Sequence, residues 1–381
     1  MGPLEGVRIV EFAGIGPGPF AGMMLADMGA EILRIDRKAK DNPDAATRGN
    51  PQKDIPSRGR KSIALDLKKP GATETALRLI EKADGLFEGF RPGVMERLGL
   101  GPEDCHAINA KLVYGRMTGW GQEGPLAMAA GHDMNYISLS GALWAIGEKD
   151  RDPVPPLNLL GDFGAGGMML AYGMVCALLK AQRTGVGDVV DAAICDGTAA
   201  LMAPVYAQLA KDVWVNERQS NRLDGAAPYY RVYKCRDGKW VSVAPLEPQF
   251  FDVLLQVLEL PAEQFTDRLN PASWADQHKI FEEIFLTKTR DEWTVLMEGT
   301  DICFAPILDL VEAPGHPHNA ARGVFVDAHG VSQPAPAPRF ANSPVEMPGP
   351  PPAPGEHRDT ALQGWGFAED EIAELIETGV M

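Results

Sequence analysis

Val7-Arg8-Ile9-Val10-Glu11-Phe12, then Gly14-Ile15-Gly16-Pro17-Gly18-Pro19, Phe20 to Met28 and Glu31-Ile32-Leu33-Arg34-Ile35, is the stretch that decides the fold. A β-rich run enters a Gly/Pro turn, a helix of small and apolar residues follows, and a second β-rich run closes the unit. Two strands joined by one helix predict a parallel pair with a right-handed crossover, and so an α/β domain on a parallel sheet. Working outward, Ser62-Ile63-Ala64-Leu65 and Lys111-Leu112-Val113-Tyr114-Gly115 read as further strands, with a helix from Thr73 to Lys82 between them. Asp162 to Arg183 reads as a long helix stopped at Thr184-Gly185, and Gly187-Asp188-Val189-Val190-Asp191 as a strand leading to another helix near Gly197. The texture then changes. Tyr229 to Tyr233 and Trp240 to Ala244 form a predicted hairpin around Arg236-Asp237-Gly238, followed by helices at about 249–258, 277–288 and 292–297. This reads as a smaller α+β domain. Residues 334–354 are Pro-rich and expected to lie extended over the surface, and the last helix is expected from Ala368 to Thr378.

A length of 381 residues favours two domains. With 45% hydrophobic and 23% charged residues the composition is ordinary for a soluble globular protein. The net charge of −16 argues against nucleic acid or an anionic membrane surface as a bulk partner. No basic segment precedes an apolar stretch at the N-terminus, so no signal peptide is expected. Runs such as Met168 to Leu179 read as too short and too interrupted to span a bilayer. Five scattered cysteines with no CxxC spacing argue against a disulfide framework or a zinc site. A reducing compartment fits, with the cytoplasm as the expected location; the ending Thr378-Gly379-Val380-Met381 is not a peroxisomal signal.

Three segments carry candidate chemistry: Gly131-His132-Asp133-Met134-Asn135-Tyr136, Gly161-Asp162-Phe163-Gly164 and Glu247-Pro248-Gln249-Phe250. They offer an imidazole and two carboxylates where helices or turns begin, the equipment for taking a proton from one face of a carbon and returning it to the other. Each residue also has a plain reading. His132 could be a hydrogen-bonded structural histidine. Asp162 sits where an N-cap belongs, and a helix start lowers a carboxyl pKa whereas burial raises it. Glu247 could cap the helix after it, although its apolar neighbours hint at a buried carboxylate in need of a partner such as His132. Gly14-x-Gly16-x-Gly18 invites a dinucleotide reading, but Pro17 and Pro19 remove N–H groups that would cradle a pyrophosphate, so a tight turn reads better. Two basic clusters, Arg34, Arg37, Lys38 and Lys40, then Arg58, Arg60, Lys61, Lys68 and Lys69, lie at the ends of predicted neighbouring strands. They read either as a phosphate site or as solvated loop charge. Met23, Met24, Met168, Met169 and Met174 are core residues or an adaptable apolar surface. Cys195 lacks an obvious base.

Those segments, with Leu157 to Phe163, Leu223-Asp224-Gly225, Pro228-Tyr229-Tyr230, Gly299-Thr300-Asp301 and Asn319-x-x-Arg322-Gly323, resemble the α-methylacyl-CoA racemases of the family III CoA-transferase superfamily, nearly end to end. The resemblance implies an α/β fold: a Rossmann-like parallel-sheet large domain formed by both chain ends, a smaller α+β domain, and an interlocked homodimer. It implies boundaries of 1–194 for the first part of the large domain, 223–315 for the small domain and 341–381 for the returning segment, with linkers at 195–222 and 316–340. It implies His132 as base on one face of the α-carbon with Glu247 hydrogen-bonded to it from the partner subunit, and Asp162 as acid/base on the other face, its helix start donating to the thioester oxygen. CoA contacts are implied for Arg37, Leu65, Asp66, Leu67, Lys68, Arg91, Gly131, Asp133, Met134, Asn135 and Tyr136. The activity implied is epimerisation of 2-methylacyl-CoA with no metal or redox cofactor. The other activity in the superfamily, CoA transfer between carboxylic acids, would use Asp162 as nucleophile through an acyl anhydride. The Lys38–Arg60 loop is longer than the usual family connection.

Overall fold

A computed structural model describes residues 2–38 and 50–381; residues 39–49 of the Lys38–Arg60 loop, Lys40 among them, lie outside the described residues. The chain divides into two compact units, one of Met1–Ser140, Pro156–Met202 and Phe325–Met381, the other of Gly141–Pro155 and Ala203–Val324.

The opening βαβ unit forms as the sequence predicts: β1 (Arg8–Phe12), a helix (Pro17–Asp27) and β2 (Glu31–Asp36), with Arg8 opposite Glu31 and Phe12 opposite Ile35 in parallel register. With β3 (Arg60–Ala64), β4 (Gly85–Glu88), β5 (Val113–Thr118) and β6 (Asp188–Ala193) these strands make one parallel sheet in the order β3-β2-β1-β4-β5-β6. The order reverses at β1 and β4, which opens a crevice at the carboxyl ends of these strands, where ligands bind in open α/β sheets. Both faces are covered, so the central strands are apolar on both sides rather than alternating. One core holds Leu33, Ile63, Leu79 and Leu86 together with Ala361, Leu362, Trp365 and Val380 from the far end of the chain. The other holds Ile9, Leu25, Phe87, Leu170 and Met174.

The helix expected from Asp162 begins earlier. A wide, π-type segment (Leu159–Gly167) runs into an α-helix (Met168–Thr184), because the Phe163 N–H reaches back five residues to the Asn158 carbonyl. The 26-residue run is long and apolar enough to cross a membrane by length and composition, which corrects the shorter reading. Its Leu170, Met174, Ala177, Leu178 and Ala181 face is buried in the second core, so Met174 is a packing residue.

In the small unit, β7 (Arg231–Lys234) and β8 (Trp240–Val243) form the expected hairpin, and β9 (Phe304–Ile307) adds a third antiparallel strand. Helices Pro248–Val257, Trp274–Phe285 and Arg290–Met297 pack on it through an aromatic core that includes Tyr229, Tyr233, Phe281 and Phe285. The Arg218 guanidinium donates to the carbonyls of Trp144, Glu148 and Arg151, which binds the 141–155 segment to this unit.

Candidate active site

The loops at the carboxyl ends of β1, β4 and β5 converge in the large unit. After β1 the chain turns at Gly16, whose φ of +67° suits glycine, and the helix starts at once with Pro17. A Cβ on Gly16 would stand 3.2 Å from Asp162 Oδ2, so the catalytic carboxyl expected from the sequence rests directly on this turn. After β5 the chain passes Trp120 and reaches the helix Asp133–Leu139, for which His132 is the N-cap. The Asn135 side chain accepts the His132 N–H at 3.0 Å, and the Tyr136 hydroxyl donates to the Gly131 carbonyl. Trp120 meets the Tyr136 ring edge-on with centroids 4.7 Å apart, which fixes the start of this helix.

Asp162 is not an N-cap. It lies within the wide segment, where Asn158 takes the capping position, and its backbone N–H donates to Asp133 Oδ2 at 2.6 Å. Its side chain accepts from Asn158 Nδ2 at 3.4 Å. Burial pushes the Asp162 carboxyl above the ordinary aspartate value; the Asn158 amide opposes this, the Asp133 charge adds to it and His132 opposes it. The imidazole and the carboxyl are thus within electrostatic reach of each other. Tyr136 is shifted upward by burial and by the Asp162 charge, with Arg91 opposing, so Arg91 belongs to the same cluster.

The other predicted ligand contacts divide. Arg37 follows β2, Lys68 follows β3 and Arg91 follows β4, and all three are exposed at the strand ends. Leu65 is buried in the first core, Leu67 packs against that core from a partly buried position, and Asp66 accepts the Lys68 N–H. Met134 and Asn135 are exposed, whereas Asp133 is buried. The basic clusters are largely structural. Arg58 pairs with Asp27 at 2.5 Å and Arg60 with Glu11 at 2.9 Å, all four side chains being nearly inaccessible. Arg34 pairs with Asp36 at 2.8 Å, and Lys61 with Glu31. Each buried guanidinium is held by a carboxylate, as the cost of burying a lone charge requires.

Glu247, in the small unit, is exposed rather than buried, because it precedes the helix at Pro248 and lines a cavity of about 290 Å³ with Arg222, Trp214 and Leu246. Cys195 is a poor nucleophile: burial and then Asp196 push its thiol up to about 11. Sequence reasoning missed Asn158 and the Gly16 contact. Gly16 had a signal, as a glycine just ahead of a proline-started helix. Asn158 had only its position four residues before Asp162.

The family model for CoA-transferase family III matches residues 4–358. The chain is 42% identical to the alpha-methylacyl-CoA racemase of Mus musculus over 374 residues, covering 98% of this chain and 96% of that one. It is 40% identical to the Homo sapiens protein of the same name over 375 residues, covering 98% and 96%. Among solved structures, a CAIB/BAIF family protein from Brucella suis superposes with a TM-score of 0.82 at 26% identity, covering 96% of this chain and 99% of that one.

Proposed function

The chain belongs to CoA-transferase family III, and from that membership we propose that it is a racemase interconverting (R)- and (S)-2-methylacyl-CoA thioesters. One observation carries the reading within the large unit: Asp133, next to His132 in the chain, accepts the Asp162 N–H at 2.6 Å, which ties the helix start that bears the imidazole to the aspartic acid at the carboxyl edge of the sheet. A thioester acidifies its α-hydrogen because the carbanion delocalises onto the carbonyl oxygen. His132 removes that proton from one epimer, the enolate forms, and the Asp162 carboxylic acid protonates the opposite face; the reverse reaction exchanges their roles. The His132 and Asp162 N–H groups are taken by Asn135 and Asp133, so other backbone N–H groups in the first turns of these two helical segments stabilise the enolate oxygen, an effect worth about 3–4 kcal/mol per donor where it has been measured. The proton transfer draws only on side chains of this chain.

Arg37, Lys68 and Arg91 provide cationic contacts for the phosphates of CoA, which a chain of net charge −16 must gather locally. Leu65 and Asp66 act through their backbone and by fixing the loop. The chain functions as a homodimer in which Glu247 of a second copy accepts the His132 ring N–H. Supporting this, Met168, Tyr172, Val175 and Leu179 form an exposed apolar stripe at helical spacing, Tyr172 being 69% exposed, and Val189 on edge strand β6 is exposed as well.

Incubation of (S)-2-methylacyl-CoA in D2O tests the reaction. The expected result is deuterium at the α-carbon together with the R epimer. Inversion without label counts against proton exchange with these two groups. Trapping of an Asp162 adduct by hydroxylamine with ping-pong kinetics would replace the reading by CoA transfer.

A further inference from the structure

Asp133 stands out among the groups around Asp162. It is only 7% exposed, yet its carboxylate enters no ion pair among the described residues. Oδ2 accepts the Asp162 N–H at 2.6 Å, and Oδ1 is buried with no hydrogen-bond partner among the described residues. The site is built around it: a Cβ on Gly161 would fall 2.3 Å from Asp133 Oδ2 and 2.9 Å from Ile137, so only glycine fits beside Asp162. A buried carboxylate with one free oxygen is costly, and an amide of the same shape would satisfy the Asp162 N–H without that cost.

We infer that the Asp133 side chain is a positioning residue for Asp162 and not a contact to the CoA moiety. One oxygen anchors the backbone of residue 162 in the wide helical segment; the other keeps a negative charge beside the acid that exchanges the proton. The inference rests on the racemase reading. Its electrostatic consequence agrees with the upward push that Asp133 exerts on the Asp162 carboxyl.

Asp133→Asn keeps the shape and the acceptor and removes the charge; Asp133→Ala removes both. The measurement is α-proton exchange of a 2-methylacyl-CoA in D2O as a function of pH, beside thermal unfolding of each variant. For Asp133→Asn the folded protein should keep its Tm and its KM, lose about tenfold in kcat, and show the acidic limb of kcat/KM moved down by about one pH unit. The basic limb should stay in place. Asp133→Ala should lose more. A raised KM with unchanged kcat would mark Asp133 as a CoA contact and overturn the inference, as would an unmoved acidic limb in a folded Asp133→Asn protein. If the wild type exchanges no proton, the racemase reading fails on its own account. The titration of Asp162, followed by carboxyl carbon NMR in the wild type and Asp133→Asn, then decides the inference separately: equal titrations overturn it.

Discussion

Gly16 connects backbone geometry to chemistry at the scale of single residues. Its φ of +67° is one that L side chains rarely adopt, and a methyl group there would press on Asp162 Oδ2 at 3.2 Å. Gly16→Ala should therefore destabilise the fold by about 1–2 kcal/mol, and lower exchange activity by about tenfold or more. Calorimetry beside the D2O assay separates the two, and a variant with full activity would show that the turn does not hold Asp162. The segments that hold His132 and Asp162, the residues proposed for the proton chemistry, were legible because glycine and helix-start signals mark them locally. Their surroundings were not. Arg58 and Arg60 are cations in sequence and buried ion pairs in space, and their partners Asp27 and Glu11 lie on other elements, so no local pattern announces them. Asp133 read as one more residue of a ligand loop because its acceptor role depends on Asp162, 29 positions away.

Strand ends set the electrostatics at the scale of elements. Glu88 closes β4 with its side chain buried; one oxygen accepts the Phe90 N–H at 2.6 Å and the other the Arg116 guanidinium at 3.3 Å. Burial outweighs both bonds and pushes Glu88 up to about 7. The folded protein then keeps this proton in a range where the unfolded chain, with an ordinary value of 4.5, has released it. The stability from this group is full below pH 4.5 and is lost as pH rises through about 7, a change on the order of 3 kcal/mol. Denaturant unfolding of the wild type and Glu88→Gln across this range should show the variant gaining on the wild type as pH rises; a constant difference would contradict it. The strand itself was illegible from sequence. Gly85-Leu86-Phe87-Glu88 is four residues long and buried on both faces, so it lacks the alternation that identifies a half-exposed strand. β9 carries Pro306, which the sequence-level rules set against a strand, and it is tolerated at the edge of its sheet. The first helix and its two flanking strands were legible because period, turn residues and spacing agreed.

For the whole molecule, the proposed homodimer would cover the apolar stripe on the Met168–Thr184 helix. Light scattering should give a mass near twice the 41.1 kDa of the chain. Tyr172→Glu with Leu179→Glu should shift the protein toward the monomer and abolish exchange without touching His132 or Asp162. A wild-type monomer of full activity would remove the need for a second copy.

The large unit draws on residues up to 202 and again from 325 onward, and its first core includes Trp365 and Val380. On a ribosome adding about 5–20 residues per second, the early strands wait roughly ten seconds or more for the material that covers them. The small unit, whose residues are made within that interval, can bury its aromatic centre first. Newborn chains thus pass through a period in which a half-clothed sheet is the species that chaperones must shield.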